Sequence, residues 1–178
     1  MSTQVILVNE KDEPRGEMEK MEAHQRGELH RAFSVFIFNT KGELLLQRRA
    51  QSKYHSGGLW TNTCCSHPSP GETIPDAANR RLQEEMGMRC DMDFAFSFIY
   101  RAELDGGLTE HEFDHVMLGY SDVVPQLNPD EADEYRYTSL EKLEEEINVN
   151  PNFFTAWFKI ALPELQHHLA KNPTLRKM

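Results

Sequence analysis

The sequence of 178 residues has few cysteines and no long apolar segment. Its three cysteines, Cys64, Cys65 and Cys90, are an odd number and two of them are adjacent, which argues against a disulfide-built fold and for reduced thiols. No apolar run approaches the roughly 18 residues that span a bilayer. The first residues do not join a basic region to an apolar core, as a secretory leader does. We therefore expect a cytoplasmic protein that does not act in a membrane.

Basic charge is also scarce, and its distribution is uneven. The net charge is −10; residues 1–101 hold 13 Lys and Arg against 14 Asp and Glu, whereas residues 102–178 hold 6 against 15. A nucleic-acid-binding protein usually carries a basic face, so this balance argues against that class. The first half still clusters cations that could meet a small anionic ligand, at Arg48, Arg49, Lys53, Arg80 and Arg81.

The length and composition are those of one globular domain. Hydrophobic residues make up 39% and charged residues 27% of the chain, unlike a disordered sequence. A chain of this size buries roughly 70% of its unfolded surface. There is no internal repeat, low-complexity tract or linker, so we expect a single domain over residues 1–178.

Strand and helix patterns alternate along the chain. Apolar runs predict strands at 4–8, 33–38, 44–47, 94–101, 112–120 and 135–137, with a hairpin at 39–42. Capping and periodicity predict helices at 74–86, from Ser139 onward, and at 155–170 with a kink or break at Pro163. Residues 51–73 are predicted to form a long loop, which favours a functional role in a compact domain. These patterns predict an α/β or α+β fold.

One segment carries the most specific local signal. It begins with Cys65-Ser66-His67-Pro68, continues through Glu72, and ends with Arg80-Arg81-Leu82-x-Glu84-Glu85-x-Gly87. Arg81 and Glu85 lie four residues apart on the predicted helix, so they share a face and can form an ion pair. Glutamates from one loop–helix unit also suit Mg²⁺, which typically takes one or two carboxylates beside water and phosphate oxygens.

The segment resembles a Nudix box, with two departures. In that pattern a Gly is followed by a Glu and then by Arg-Glu-aliphatic-x-Glu-Glu-x-Gly. Here Ser66 takes the place of the first Gly, and Arg81 replaces an acidic residue that serves hydrolysis. Both departures argue against a pyrophosphohydrolase.

A narrower resemblance accounts for both departures. The stretch TNTCCSHP, with His24 and His30 upstream and Tyr-Arg-Ala and Glu-x-Glu downstream, resembles the type I isopentenyl-diphosphate isomerase family from about residue 5 to Trp157. The resemblance implies a divergent Nudix fold, with a mixed β-sheet sandwiched between helices. It also implies interconversion of isopentenyl and dimethylallyl diphosphate in isoprenoid biosynthesis.

The resemblance also implies roles for individual residues. The ligands of one Mn²⁺ or Zn²⁺ per subunit fall on His24, His30, His67, Glu110 and Glu112. The catalytic groups fall on Cys65, Glu112, Tyr100 and Trp157, the last facing the hydrocarbon end of the substrate. Glu85 falls on the ligand of a Mg²⁺ bound with the diphosphate. The diphosphate-facing cations fall on Lys20, Arg49, Lys53 and Arg81.

Other residues of the same types have ordinary interpretations. We expect structural or surface roles for His55, His111, His115, His167 and His168, and small buried roles for Cys64 and Cys90. The acidic run 141–146 is expected to be an exposed helix face. The partner is then a small isoprenoid diphosphate, with no nucleic acid and no membrane, and the chain a monomer or small homo-oligomer. The alternatives are a Nudix-type pyrophosphohydrolase of small diphosphates and, less favoured, a non-catalytic diphosphate- or metal-binding module.

Overall fold

Nine strands and four α-helices occupy most of residues 3–177, the part of the chain that the computed structural model describes. The strands are β1 (Gln4–Val8), β2 (Pro14–Glu19), β3 (His30–Phe38), β4 (Leu44–Arg49), β5 (Trp60–Thr61), β6 (Cys64–Ser66), β7 (Met92–Glu103), β8 (Thr109–Tyr120) and β9 (Ala132–Thr138). The helices are α1 (Lys20–Arg26), α2 (Ile74–Met86), α3 (Leu140–Val149) and α4 (Ala156–Lys171). The predicted domain of residues 1–178 includes residues 1, 2 and 178, which lie outside the described range.

The sheet is mixed, and β3 is its central strand. β3 runs parallel to β8 over nine residue pairs, from His30–Glu112 to Phe38–Tyr120. It is antiparallel to β6 and meets β4 only at the hairpin pair Phe38–Leu44. β8 pairs antiparallel with β7, and β4 pairs with β5 and β9.

Helices cover both faces of the sheet. Successive side chains of a strand point to opposite faces, and along β3 Phe36 packs in the core against α4 whereas Val35 packs in the core against α2. Leu165 of α4 and Leu82 of α2 are completely buried in these two cores. The predicted mixed sheet between helices is confirmed. None of the helices in residues 3–177 is long and apolar enough to cross a membrane.

The helix predicted at 74–86 is confirmed at both ends. The Thr73 side chain accepts a hydrogen bond from the Asp76 amide, and Gly87 closes the helix in the left-handed conformation. The hairpin at 39–42 and the helix after Ser139 are also confirmed. The predicted strands all form, several of them longer than expected because strand pairing extends beyond the apolar runs.

Three local predictions are incomplete or wrong. β2 and α1 were not predicted: β2 is a mostly exposed edge strand without apolar alternation, and α1 has seven residues, too few for a periodic signal. The predicted loop 51–73 contains the short strands β5 and β6. The expected break at Pro163 is absent, since α4 continues through it; Pro163 lies on the exposed face, where water can satisfy the carbonyl that it leaves free.

Gly87 offers a test of the packing at the C-terminal end of α2. It has a φ of 62°, and a Cβ there would collide with the backbone oxygen of Gln126. We expect Gly87→Ala to lower the free energy of unfolding by about 2–5 kcal/mol, because left-handed strain and overpacking add. Gly42→Ala is the matched control: its φ is 76°, but the space around it is open, so only about 1–2 kcal/mol of strain applies. Urea unfolding measures both, and equal losses would contradict the role of the Gln126 contact.

Candidate active site

One pocket collects the predicted site residues. All thirteen except His30 line it, and His30 lies directly behind, fully buried and in contact with His67. The enclosed volume is small, about 50 Å³. A larger cavity of about 270 Å³, beside Phe38 and Leu169, contains none of these residues. The pocket therefore marks the site by its chemistry and not by its size.

Three side chains of the pocket and His30 behind it form a compact cluster of potential metal ligands. They come from α1, the start of β3, the residue after β6, and β8, and their ligand atoms all lie within 4.8 Å of one another: His24, His30, His67 and Glu112. Strand register brings two of them together, because the parallel pairing of β3 and β8 sets His30 directly opposite Glu112.

The hydrogen bonds of the cluster fit a bound cation. Nδ1 of His24 donates to the Lys20 carbonyl at 2.7 Å, and Nδ1 of His30 donates to the Glu28 carbonyl at 2.8 Å. A carbonyl only accepts, so Nδ1 carries a proton in both rings and Nε2 of each faces the cluster. Among the described residues Nε2 of His24 is buried without a hydrogen-bond partner, and Nε2 of His30 lies 3.1 Å from Nε2 of His67. A divalent cation would satisfy these converging ring nitrogens.

The protonation states of the cluster also suit a metal. Burial lowers the pKa of His67 to about 3 and also lowers the pKa of His24, so both rings are neutral at pH 7, the form that coordinates metals. Burial raises the pKa of Glu112, but hydrogen bonds with His30 and His67 outweigh it and hold that pKa well below the usual range. The cluster thus presents lone pairs and one negative charge.

Behind the cluster, Tyr100 links two carboxyl groups. Its hydroxyl lies 2.7 Å from Glu112 and 2.9 Å from Glu110, because β7–β8 register sets Tyr100 opposite Glu112 and Ala102 opposite Glu110. Burial and the charge of Glu112 raise the pKa of Glu110 well above its ordinary value. A protonated Glu110 can therefore donate to the Tyr100 oxygen while Tyr100 donates to Glu112. Glu110, expected as a metal ligand, lies outside the four-residue cluster.

The adjacent cysteines face opposite sides of β6. Cys65 pairs with Ser34 of β3 and lines the pocket, whereas Cys64 is completely buried in the core under α2. Burial raises the pKa of Cys65 well above its ordinary value, and the nearby charge of Glu85 adds to the effect. The Cys65 thiol is therefore protonated at neutral pH. The expectation that Cys64 is a small core residue is confirmed.

Trp157 forms an aromatic wall of the pocket. It lies in the first turn of α4, is 3% exposed, and has the Arg49 guanidinium 5.1 Å from its ring centroid. His55 packs edge-on against it at 5.6 Å between centroids. His55, for which a structural or surface role was expected, is buried and lines the pocket, where burial and the charge of Arg49 lower its pKa to about 3. Its place in the 51–73 loop was the signal that could have indicated this.

Four cationic side chains also line the pocket. Arg81 donates to Glu85 at 2.5 Å, as its helical spacing predicted, and to Glu84 at 2.6 Å. Lys53 donates to Glu131 at 2.7 Å. Lys20 lies 5.1 Å from the ring centroid of Tyr54. Nε of Arg49 and Nε of Arg81 are buried without a hydrogen-bond partner among the described residues, so both guanidinium groups retain donors for an anion.

The cation cluster expected from the sequence is divided by the fold. Arg49, Lys53 and Arg81 line the pocket, whereas Arg48 pairs with Asp133 at 2.7 Å and Arg80 with Glu72 at 2.7 Å. Arg48 and Arg80 lie outside the pocket lining, because their strand and helix positions point them towards these surface carboxylates.

Three polar residues of the site were missed by the sequence reasoning. Gln47 donates to Glu85 at 2.8 Å, and Glu131 accepts from Lys53. Asp114 is buried, accepts from the Ser34 hydroxyl at 2.7 Å, and has its pKa raised to about 8 by burial and the charge of Glu112. Period-two spacing from Glu112 was a signal for Asp114, whereas nothing local distinguishes Gln47 or Glu131.

Comparisons of the sequence with known proteins identify its relatives. The NUDIX domain family matches residues 28–158. An isopentenyl-diphosphate Delta-isomerase of Pectobacterium atrosepticum is 55% identical, over 92% of this chain and 91% of the relative. Isopentenyl-diphosphate Delta-isomerase 2 of Aromatoleum aromaticum is 54% identical, over 91% of this chain and 86% of that protein.

Solved structures share the fold at lower identity. The DR0079 protein of Deinococcus radiodurans superposes with a TM-score of 0.68 at 22% identity, over 82% of this chain and 89% of that one. A MutT protein of Methanosarcina mazei Go1 gives 0.64 at 23% identity, over 78% and 94%. The solved structures show the fold, and the sequence relatives with the NUDIX domain match show that the chain belongs to the isopentenyl-diphosphate Delta-isomerase family of the Nudix superfamily.

Proposed function

We propose that this pocket is where the chain, an isopentenyl-diphosphate Delta-isomerase of isoprenoid biosynthesis, interconverts isopentenyl and dimethylallyl diphosphate by acid–base proton transfer. The observation that carries the proposal is one enclosure that holds a protonated thiol, Cys65, and an ionised carboxylate, Glu112, beside four cationic side chains. Hydrolysis by a metal-activated water does not require the thiol.

The reaction requires two proton-handling groups. A proton adds to the terminal carbon of the double bond, and a second proton leaves the carbon two positions away, so that its C–H electron pair forms the new double bond. The Cys65 thiol and the Glu112–Tyr100 pair supply these groups, one on each side of the flat five-carbon unit. Glu110 supports the pair through its contact with Tyr100.

Charge develops on the hydrocarbon between the two transfers. The negative face of an aromatic ring attracts a cation within about 6 Å of its centroid. Trp157 already has the Arg49 guanidinium at such a distance, which supports its role as the wall that stabilises a transient tertiary carbocation. The enclosing rings of Trp157 and His55 also keep water from trapping that cation.

Two ions belong to the proposal. Mn²⁺ or Zn²⁺ would be held by His24, His30, His67 and Glu112, with Glu110 adjoining, since mixed imidazole and carboxylate ligands suit such ions. Mg²⁺ would be held at Glu85 with the diphosphate. These ions supply fixed positive charge beside the acid–base carboxylate and beside the phosphates.

The cationic side chains of the pocket suit binding of a diphosphate without its hydrolysis. Lys20, Arg49, Lys53 and Arg81 would hold the diphosphate by charge and hydrogen bonds. A guanidinium neither accepts a proton nor binds a metal, so Arg81 cannot activate water as an acidic residue would in a hydrolase. This argues against the alternative function, a pyrophosphohydrolase of small diphosphates.

Two further expectations stay predictions. A cytoplasmic location accords with three free thiols, Cys64, Cys65 and Cys90, because reduced cysteines are typical of that compartment. A monomer or small homo-oligomer also stays a prediction.

The decisive assay compares the two candidate reactions. We expect purified protein with Mg²⁺ to convert isopentenyl diphosphate to dimethylallyl diphosphate, and to release no appreciable phosphate from nucleoside diphosphate derivatives. Proton NMR follows the first reaction and a colorimetric phosphate assay the second. Glu85→Gln should weaken Mg²⁺-dependent substrate binding. Efficient phosphate release with isopentenyl diphosphate left unchanged would instead favour the hydrolase.

The two cysteines make a matched pair of variants. We expect Cys65→Ala to lower kcat by about 10²–10⁴-fold, the usual contribution of a proton-transfer group, while the unfolding curve stays close to that of the wild type. Cys64→Ala should leave kcat nearly unchanged, because that side chain lies in the core under α2. Similar kcat values for both variants would remove Cys65 from the mechanism.

The metal assignment is tested by elemental analysis. We expect His67→Ala to lower Mn²⁺ or Zn²⁺ affinity by more than about tenfold, since even supporting groups of a metal site contribute that much. His168→Ala is the control, because its ring packs against Phe96 outside the cluster. Full occupancy in the His67 variant would exclude that residue as a ligand.

A further inference from the structure

Glu131 is a carboxylate where an anion is expected to bind. Its Oε2 accepts a hydrogen bond from Lys53 at 2.7 Å and lies 3.4 Å from Nη2 of Arg81. Burial raises the pKa of Glu131, but the Lys53 hydrogen bond and the charge of Arg81 outweigh it and lower that pKa. Glu131 is therefore ionised at neutral pH, and its charge alone would repel a diphosphate.

The backbone around Glu131 is fastened to both segments that carry the cations. The Ala50 amide donates to the Glu131 carbonyl at 3.0 Å, at the end of β4 just before Lys53. The Asn128 amide donates to the Glu85 carbonyl at 3.0 Å, one turn of α2 beyond Arg81. The Glu131 amide closes the turn on the Asn128 carbonyl at 2.9 Å. The turn thus bridges the loop and the helix at the point where their cations meet.

We propose that Glu131 is a positioning residue, which holds Lys53 and Arg81 at the diphosphate end of the pocket. The inference rests on the proposed function, in which these two cations face the diphosphate. One carboxylate oxygen serves both cations, so a single side chain sets their separation. Glu131 itself does not touch the substrate.

Preorganisation explains why a negative charge is useful here. Lysine has a long, flexible side chain, and ordering such a chain during binding weakens affinity. Because Glu131 already orders Lys53 in the free protein, the conformational entropy of that side chain is lost during folding. Substrate binding then does not have to supply it. Arg81 is held on its helix by Glu84 and Glu85, and Glu131 adds a third carboxylate, through the same oxygen that accepts from Lys53.

The direction in which a Glu131 variant changes pyrophosphate affinity tests this proposal. We expect Glu131→Gln to raise the dissociation constant of inorganic pyrophosphate, measured by calorimetry without added metal, by roughly tenfold, as lost ordering of two cationic side chains implies. The KM for isopentenyl diphosphate should rise similarly, and kcat should change less than about twofold, because the Glu131 side chain contacts Lys53 and Arg81 and not the groups assigned to proton transfer. Equal or tighter pyrophosphate binding would overturn the proposal, since it would show that the carboxylate only repels anions.

Matched variants separate positioning from general charge and folding effects. Glu134→Gln, three residues further along the chain in β9 and paired with Arg48 outside the pocket, removes an equal charge and should leave the pyrophosphate dissociation constant unchanged. In a Lys53→Met background, Glu131→Gln should add much less than it does alone; an undiminished added loss would contradict action through Lys53. If Glu131→Gln does not fold, Glu131→Asp keeps the charge but retracts it by one methylene, and unchanged pyrophosphate binding in that variant would overturn the proposal.

The same data distinguish this proposal from the proposed function. A wild-type protein that neither binds pyrophosphate nor isomerises isopentenyl diphosphate contradicts the assigned function. A wild-type protein that does both, with Glu131→Gln unaltered in pyrophosphate binding and KM, contradicts only the role of Glu131.

Discussion

The parallel pairing of β3 with β8 is the constraint on which the whole site depends. It sets His30 opposite Glu112, so that an imidazole and a carboxylate from distant parts of the chain meet in a buried position. β6 then pairs with the other edge of β3 and brings Cys65 to the pocket, while β7 pairs with β8 and brings Tyr100 against Glu112. Because a shift of one residue reverses every side chain of a strand, the site exists only in this register.

Burial gives the assembled groups their chemical states. Removal from water disfavours the charged form of any titratable group, and the rings of His24 and His67 remain neutral for this reason. Where several carboxyl groups share one enclosure, only some can ionise: Glu112 keeps its charge through hydrogen bonds with two histidines, whereas Glu110 and Asp114 have raised pKa values. The hydrogen-bonding neighbours thus select which carboxylate is available as a base.

At the part of the pocket proposed to bind the diphosphate, carboxylates hold the cationic side chains in place. The cations still keep some hydrogen-bond donors free. Arg81 is shared among Glu84, Glu85 and Glu131, yet its Nε is buried without a hydrogen-bond partner in residues 3–177. Such an arrangement orients a guanidinium without exhausting its hydrogen bonds. Arg81 also stands where the Nudix pattern has an acidic residue, and in the proposed function it would therefore help α2 to retain the diphosphate.

The sequence by itself determined the periodic and capped elements, the single-domain size and the motif residues. α2, with its Thr73 cap and Gly87 terminus, is encoded within fifteen consecutive residues, and Cys65, His67 and Glu85 lie in one local motif. Elements without local signals, such as the exposed strand β2 and the short helix α1, form through their contacts and were not predicted. Only the tertiary structure decided that His55 enters the pocket, that Arg48 and Arg80 leave it, and that Glu131 joins Lys53 to Arg81. The physical reason is that these roles depend on contacts between residues as distant in the sequence as His55 and Trp157, which composition, spacing and periodicity do not record.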